Sequence, residues 1–262
     1  MKMRLQRQKL GPTQIGLAAV LAAFAFWGGT PKKLAAATQS CATPADIYEY
    51  EPYLPRTLGA LEKGGPITIV AVGGASTRGR AAGDDSRAWP ARLGQALAAR
   101  FPSARITVLN RGVARETAAQ MVARFDKDVF AFKPDLVIWE TATNDAVSAT
   151  DVDAFQETLQ TGIERLRAAV PEVMFMNPQF SRLSEFVVNF NRYTTILRGV
   201  ADLSELPLFP RHEIMRYWAD RGVFNFRVTG REQRRELAIH LYACIGAAVA
   251  DMIVRRPPVQ VR

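Results

Sequence analysis

Three short turns carry residues that could do chemistry, and each follows an apolar run. Gly73-Gly74-Ala75-Ser76 comes directly after Ile67-Thr68-Ile69-Val70-Ala71-Val72, a β-branched stretch that reads as a buried strand. Asn110-Arg111-Gly112 ends the run from Arg105, and Thr143-Asn144-Asp145 lies just past Asp135 to Trp139. Acyl transfer needs a nucleophile, a base to take its proton, and donors aimed at the developing oxyanion. A serine hydroxyl, backbone amides and an asparagine amide are groups of that kind. Ser76 at a strand end is placed either to attack a substrate or to cap the helix that follows it.

The elements that must position these turns alternate regularly. Strands are predicted over 67–72, 105–110, 135–139, 172–176 and 206–209. Helices are predicted over 57–63, 90–100, 118–132, 151–169, 183–203, 212–219 and 231–254. Phe155, Leu159, Ile163 and Leu166 form one stripe at helical spacing. Five alternations of strand and helix predict an α/β fold with a parallel sheet and right-handed crossovers. The expected architecture is a flavodoxin-like three-layer α/β/α sandwich with a five-stranded parallel sheet; a (β/α)₈ barrel needs three more units. In such a sheet the three turns meet at one edge, where ligands bind.

The chain has 262 residues, 48% hydrophobic and 23% charged, enough for one sizeable core. Its formal charge of +9 is concentrated at the start. Residues 1–37 hold six basic residues and no acid; setting those six aside leaves 28 basic against 25 acidic, a net +3. That excess argues against nucleic acid as a partner. Lys2 to Lys9, the uncharged run Ile15 to Trp27, and Ala35-Ala36-Ala37 have the layout of a signal peptide, with cleavage after Ala37 or retention as an N-terminal anchor. The expected organisation is therefore a signal segment over 1–37, an irregular arm over 38–64 and one domain over 65–258, exported to a periplasmic or extracellular compartment. Membrane contact is expected only through an uncleaved leader. Cys41 and Cys244 are the two cysteines. An even count in an oxidising compartment favours a disulfide between them; the alternative is two unrelated thiols.

On these blocks the sequence resembles the SGNH (GDSL-type) hydrolase family over about 66–250. The family's Gly-Asp-Ser block is matched by Gly74-Ala75-Ser76, and its Gly-x-Asn-Asp block by Ala142-Thr143-Asn144-Asp145. Ala88-Trp89-Pro90-Ala91, the Cys41 arm and Tyr242-Ala243-Cys244 add to the likeness, the last two with an exported bacterial subgroup. The resemblance implies an SGNH hydrolase fold and cleavage of a small-molecule or glycan ester, carbohydrate or lipid-like, with no metal or organic cofactor. Ser76 would be the nucleophile, with the Asn144 amide and the Ser76 backbone N–H as oxyanion donors.

Two departures stand out. The glycine that ends the family's second block is replaced by Arg115, whose backbone N–H would take its place; arginine does not readily adopt positive φ. The family's Asp-x-x-His is missing: aligned on Tyr242 its positions fall on Gln233 and Glu236, aligned on Gly230 on Thr229 and Glu232. Glu236, Glu232 and His240, one turn beyond, are the candidate bases. A glutamate near 4.3 is a weaker proton acceptor than a histidine near 6.5. The chain then reads as an esterase with an impaired or altered triad, or as a non-catalytic descendant that binds glycan or a partner protein at the old pocket. His212 is expected to be structural or solvent-facing. Arg78, Arg80, Arg87 and Arg115 either ring the pocket mouth for an anionic substrate or form a solvated loop. The apolar residues over 186–193 either line an acyl pocket or belong to the core.

Overall fold

A computed structural model describes residues 41–181 and 190–257. Residues 1–40 (which include the predicted signal segment), residues 182–189 of the predicted 183–203 helix and the last five residues lie outside the described part. Five strands form one sheet: β1 (Pro66–Gly73), β2 (Arg105–Gly112), β3 (Leu136–Glu140), β4 (Glu172–Met176) and β5 (Leu208–Phe209). They lie in the order β2-β1-β3-β4-β5, every pair parallel. The order reverses between β1 and β3, which is where a doubly wound sheet opens its ligand crevice.

The helices are α1 (Pro55–Glu62), α2 (Ala75–Arg78), α3 (Trp89–Arg100), α4 (Ala118–Ala123), α5 (Phe125–Asp128), α6 (Thr143–Val147), α7 (Val152–Ala169), α8 (Phe190–Leu203), α9 (Arg211–Asp220) and α10 (Arg231–Ile253). The single helix expected over 118–132 is instead α4, α5 and a 3₁₀ turn over Phe130–Phe132. The break falls at Arg124, whose guanidinium holds Glu116, Asp128 and the Arg111 carbonyl.

Strand alternation divides the core into two faces. Ile67, Ile69 and Ala71 of β1, Leu136 and Ile138 of β3, and Met174 and Met176 of β4 pack with α1, α3, α9 and α10. Val70, Val72, Val137, Trp139, Val173 and Phe175 pack with α4, α7 and α8. The closing helix α10 is apolar enough in length and composition to cross a membrane, yet 61% of that stretch is buried inside this core. It crosses α3 closely at Gly246, where a Cβ would come 2.7 Å from the Leu93 nitrogen.

The arm before the first strand is fastened to the α10 side of the domain. A disulfide joins Cys41 to Cys244, with Cα atoms 5.3 Å apart. The Trp218 indole N–H donates to the Ala42 carbonyl, and the Tyr48 hydroxyl to the Ala248 carbonyl. Glu51 accepts from the Leu208 amide at 2.8 Å and pairs with Arg198 at 2.6 Å, so the arm also secures β5.

Candidate active site

Ser76 stands on α2, a single turn launched from β1 and stopped by Gly79 at φ 83°. The turn is held tightly. The Asn110 amide donates to the Thr77 carbonyl at 2.8 Å while its carbonyl accepts from the Gly112 amide at 3.0 Å. Gly112 allows this approach, because a Cβ there would lie 2.3 Å from the Arg78 nitrogen. The Asn110-Arg111-Gly112 turn thus anchors the serine turn from β2.

β3 runs one residue further than expected, to Glu140. Counting by twos from Leu136 and Ile138 puts Glu140 on the α10 face, level with Met176. Its carboxylate therefore enters the core beside the serine turn. The Ser76 hydroxyl donates to Glu140 Oε1 at 2.6 Å. The Thr77 amide donates to Oε2 at 3.1 Å, and the Thr77 hydroxyl donates to the same oxygen. Gly73 makes room, since a Cβ there would meet the Thr77 hydroxyl at 2.2 Å and Glu140 Oε2 at 2.8 Å. The Trp89 indole N–H closes this side by donating to Thr77 Oγ1.

The countercharge comes from Arg211, the first residue of α9. Its Nη1 donates to Ser76 Oγ at 2.9 Å and its Nη2 to Glu140 Oε1 at 2.8 Å. One guanidinium thus spans hydroxyl and carboxylate. α9 is aimed by Asn177 just past β4, which accepts from the His212 amide at 2.9 Å and donates to Glu213 at 2.7 Å. Glu140 and Arg211 are each 2% exposed and Ser76 7%. Burial pushes the Glu140 carboxyl up, but the Arg211 charge and the Ser76, Thr77 and Arg211 donors outweigh it and hold it below the usual glutamate range. Nearby Tyr242 is pushed up to about 12 by burial, with the Glu140 charge adding and Arg211 opposing.

Ser76 and Asn144 line one cavity of about 50 Å³, together with Met121, Glu140, Thr143 and Gln179 among others. At 10–15 Å³ per position that is room for roughly four waters. One proton of the Asn144 amide goes to the Glu116 carbonyl at 2.8 Å, and an amide carries a second. The Thr141 and Thr143 hydroxyls, on residues that line this cavity, are buried without a hydrogen-bond partner among the described residues. Unmet groups of this kind are costly to keep in a fold and suit a polar occupant. Asp145 faces the other way, its carboxylate taking the Ala118 amide at the start of α4 with both oxygens at 3.1 Å. Burial raises its pKa to about 6.

Arg115 adopts φ 71° and Ala142 φ 75°. Both stand where the resemblance has glycine, and both keep the left-handed backbone that glycine favours. The expectation that arginine would resist this conformation is corrected: Arg115 takes it, with its side chain exposed. The carboxylate beside Ser76 is Glu140, not Glu232 or Glu236. Those two and His240 are exposed on α10, whose first turns face outward, and none lines the cavity. His212 is buried edge-on to Phe180 at 5.4 Å and is likewise not in the lining. Of the residues over 186–193, Phe190 and Tyr193 belong to the core; 186–189 lie outside the described residues. Among the described residues no group of three His, Cys, Asp or Glu is placed to hold a metal.

Glu140 and Arg211 are the site residues that sequence reasoning missed. Strand alternation signals the first: a carboxylate continuing the inward side of an apolar strand must find a partner. Nothing local signals the second.

A family model described as the non-GDSL lipase-like family matches residues 40–257. Comparison with curated proteins finds no match. Among solved structures, a catalytic mutant of an acetylxylan esterase from Geobacillus stearothermophilus is similar at 16% identity and TM-score 0.59, over 72% of this chain and 95% of that one. An α/β hydrolase enzyme from the metagenome of Lake Arreo, Spain, is similar at 21% identity and TM-score 0.57, over 72% and 97%. A two-domain esterase active on acetylated mannans is similar at 19% identity and TM-score 0.59, over 81% of this chain and 58% of that one. At these identities the likeness establishes the fold, that of SGNH-type hydrolases.

Proposed function

The chain belongs to the non-GDSL lipase-like family, and from that premise we propose that it is an exported esterase that removes a short, acetyl-sized acyl group from a carbohydrate. Ser76 attacks the ester carbonyl, and its proton passes to Glu140 Oε1. The carbonyl oxygen takes up the negative charge and is met by the second Asn144 amide proton and the Ser76 backbone N–H. Collapse expels the alcohol, which recovers the proton from Glu140, and leaves Ser76 acylated; water then releases the acid by the same steps.

The observation that carries this reading is the single guanidinium bonded to both Ser76 Oγ and Glu140 Oε1. Proton transfer from serine to glutamate moves one negative charge between two oxygens that Arg211 already holds. The buried cluster's net charge does not change, so no new desolvation is incurred. The cavity volume supports a small acyl group, and two of the similar structures are esterases of acetylated polysaccharides. The disulfide supports export.

Glutamate is at least two units weaker as a base than histidine. General-base assistance contributes about 10²–10⁴-fold, so turnover falls well below that of a Ser-His-Asp enzyme. A second reading, binding without turnover, is favoured by one feature: the Ser76 hydroxyl is already engaged on both sides. The two separate on a fluorophosphonate probe and a short-chain aryl ester. The esterase reading expects Ser76 to be labelled and turnover to vanish in Ser76→Ala. An unlabelled serine with turnover equal to that variant supports the binding reading instead.

A further inference from the structure

Two grooves separate from the Ser76 cavity are not used by its chemistry. The first, about 410 Å³, has one wall in Arg78 to Asp85 and the other in Val113-Ala114. One wall continues from the Ser76 turn, which ends at Arg78, and the other leads from Ala114 to Glu116, whose carbonyl holds the Asn144 amide. The second groove, about 700 Å³, shares Arg80 and Gly83 with the first and extends to the start of α10. Each falls in the size range of a ligand site.

Their linings are unusually rich in arginine: Arg78, Arg80, Arg231, Arg234 and Arg235, against Asp84, Asp85 and Glu232. The acids neutralise little of this. Arg78 meets Asp85 at 3.5 Å with both side chains more than half exposed, and Arg235 meets Glu232 only at 4.0 Å. Among the described residues no carboxylate lies within 4.0 Å of Arg80, Arg231 or Arg234. Three exposed guanidiniums without a countercharge, set in a concave track, offer forked donors that match carboxylates in two-point fashion.

We propose that this track binds a carboxylate-bearing oligosaccharide, a uronic acid chain, running from the start of α10 toward Ser76. The lining holds no aromatic side chain on which nucleic acid bases could stack. It is concave, unlike a surface that lies on a membrane. The choice of sugar over acidic peptide rests on the ester reading above; the demand for an anion does not.

The test is calorimetric titration of the full exported chain with a short oligogalacturonate, and in parallel with neutral xylo-oligosaccharide, polyglutamate and phosphatidylglycerol vesicles. The oligogalacturonate binds, with affinity falling as salt rises from roughly 50 to 200 mM. R231A/R234A weakens it by at least tenfold, R80A weakens it as well, and S76A leaves it unchanged. Aryl-ester turnover is the same in R231A/R234A as in the wild type, so failure of binding and failure of catalysis read out separately. No binding of oligogalacturonate, equal binding of the neutral sugar, equal or tighter binding of polyglutamate or vesicles, or undiminished binding by R231A/R234A overturns the proposal.

Discussion

Glu140→Gln is the substitution the buried cluster should tolerate least. It keeps the side chain's size but removes the carboxylate that pairs with Arg211, which is 2% exposed and donates to Glu140 Oε1 at 2.8 Å. It also turns an acceptor of four donors, the Ser76 hydroxyl, the Thr77 amide and hydroxyl and Arg211 Nη2, into an amide that can face one of them with the wrong polarity. Stranding a buried charge costs about 3–5 kcal/mol. For a domain of this size that lowers the melting temperature by roughly 6–20 °C. Arg211→Met strands the opposite charge and costs less, because a carboxylate relieves its isolation by taking a proton and a guanidinium cannot give one up. The double variant recovers most of the loss, since exchanging a whole buried pair for neutral groups is often close to neutral. The assay is urea and thermal unfolding of the four proteins with the disulfide intact. If Glu140→Gln unfolds within about 0.5 kcal/mol of the wild type, or the two losses simply add, the charge cluster is not what holds the site. The same linkage has a pH signature. Glu140 has its folded pKa below the unfolded one, so its contribution is complete above about pH 4.5 and is lost as the pH falls through the folded value.

Three further outcomes follow from the same geometry. Asp145 has a raised pKa, so the folded state holds a proton that the unfolded chain gives up, and stability falls as pH rises from about 4 to 7; the change is about 3 kcal/mol. Asp145→Asn should remove that slope in melting temperature against pH, and an unchanged slope contradicts the assignment. Arg115→Gly relieves a left-handed backbone at φ 71° and should raise unfolding stability by about 1 kcal/mol; a loss would mean the arginine side chain itself supports the turn. Denatured, unreduced protein should show no free thiol, and removing the Cys41–Cys244 bridge should cost roughly 2–5 kcal/mol.

The five-stranded parallel sheet was legible because short apolar runs alternate with helical stretches such as the stripe Phe155, Leu159, Ile163 and Leu166. That Ser76 and Asn144 share one cavity was legible because turns after strands in a parallel sheet gather at one edge. The base was not. Family register carried the expectation to Glu232 and Glu236, on a helix end whose first six residues all face solvent. Glu140 was hidden inside a strand ending, one residue past the expected boundary, though the alternation Leu136, Ile138, Glu140 points it inward. Arg211 lies 71 residues further on and meets Glu140 only through tertiary packing, which no local pattern encodes. The arginine track was half visible: Arg78 and Arg80 line it, while Arg87 and Arg115 do not, and Arg231, Arg234 and Arg235 come from the far end of the chain.

The central claim is that Ser76 gives its proton to Glu140, whose carboxyl is held below the ordinary range. The most direct measurement is kcat/KM for a short acyl ester against pH, with Ser76→Ala as the blank. A base of that kind is fully ionised above about pH 5, so the profile should be flat from there to about pH 8. A rising limb centred between about pH 6 and 7, as a histidine base would give, or turnover no higher than the Ser76→Ala blank, would contradict it.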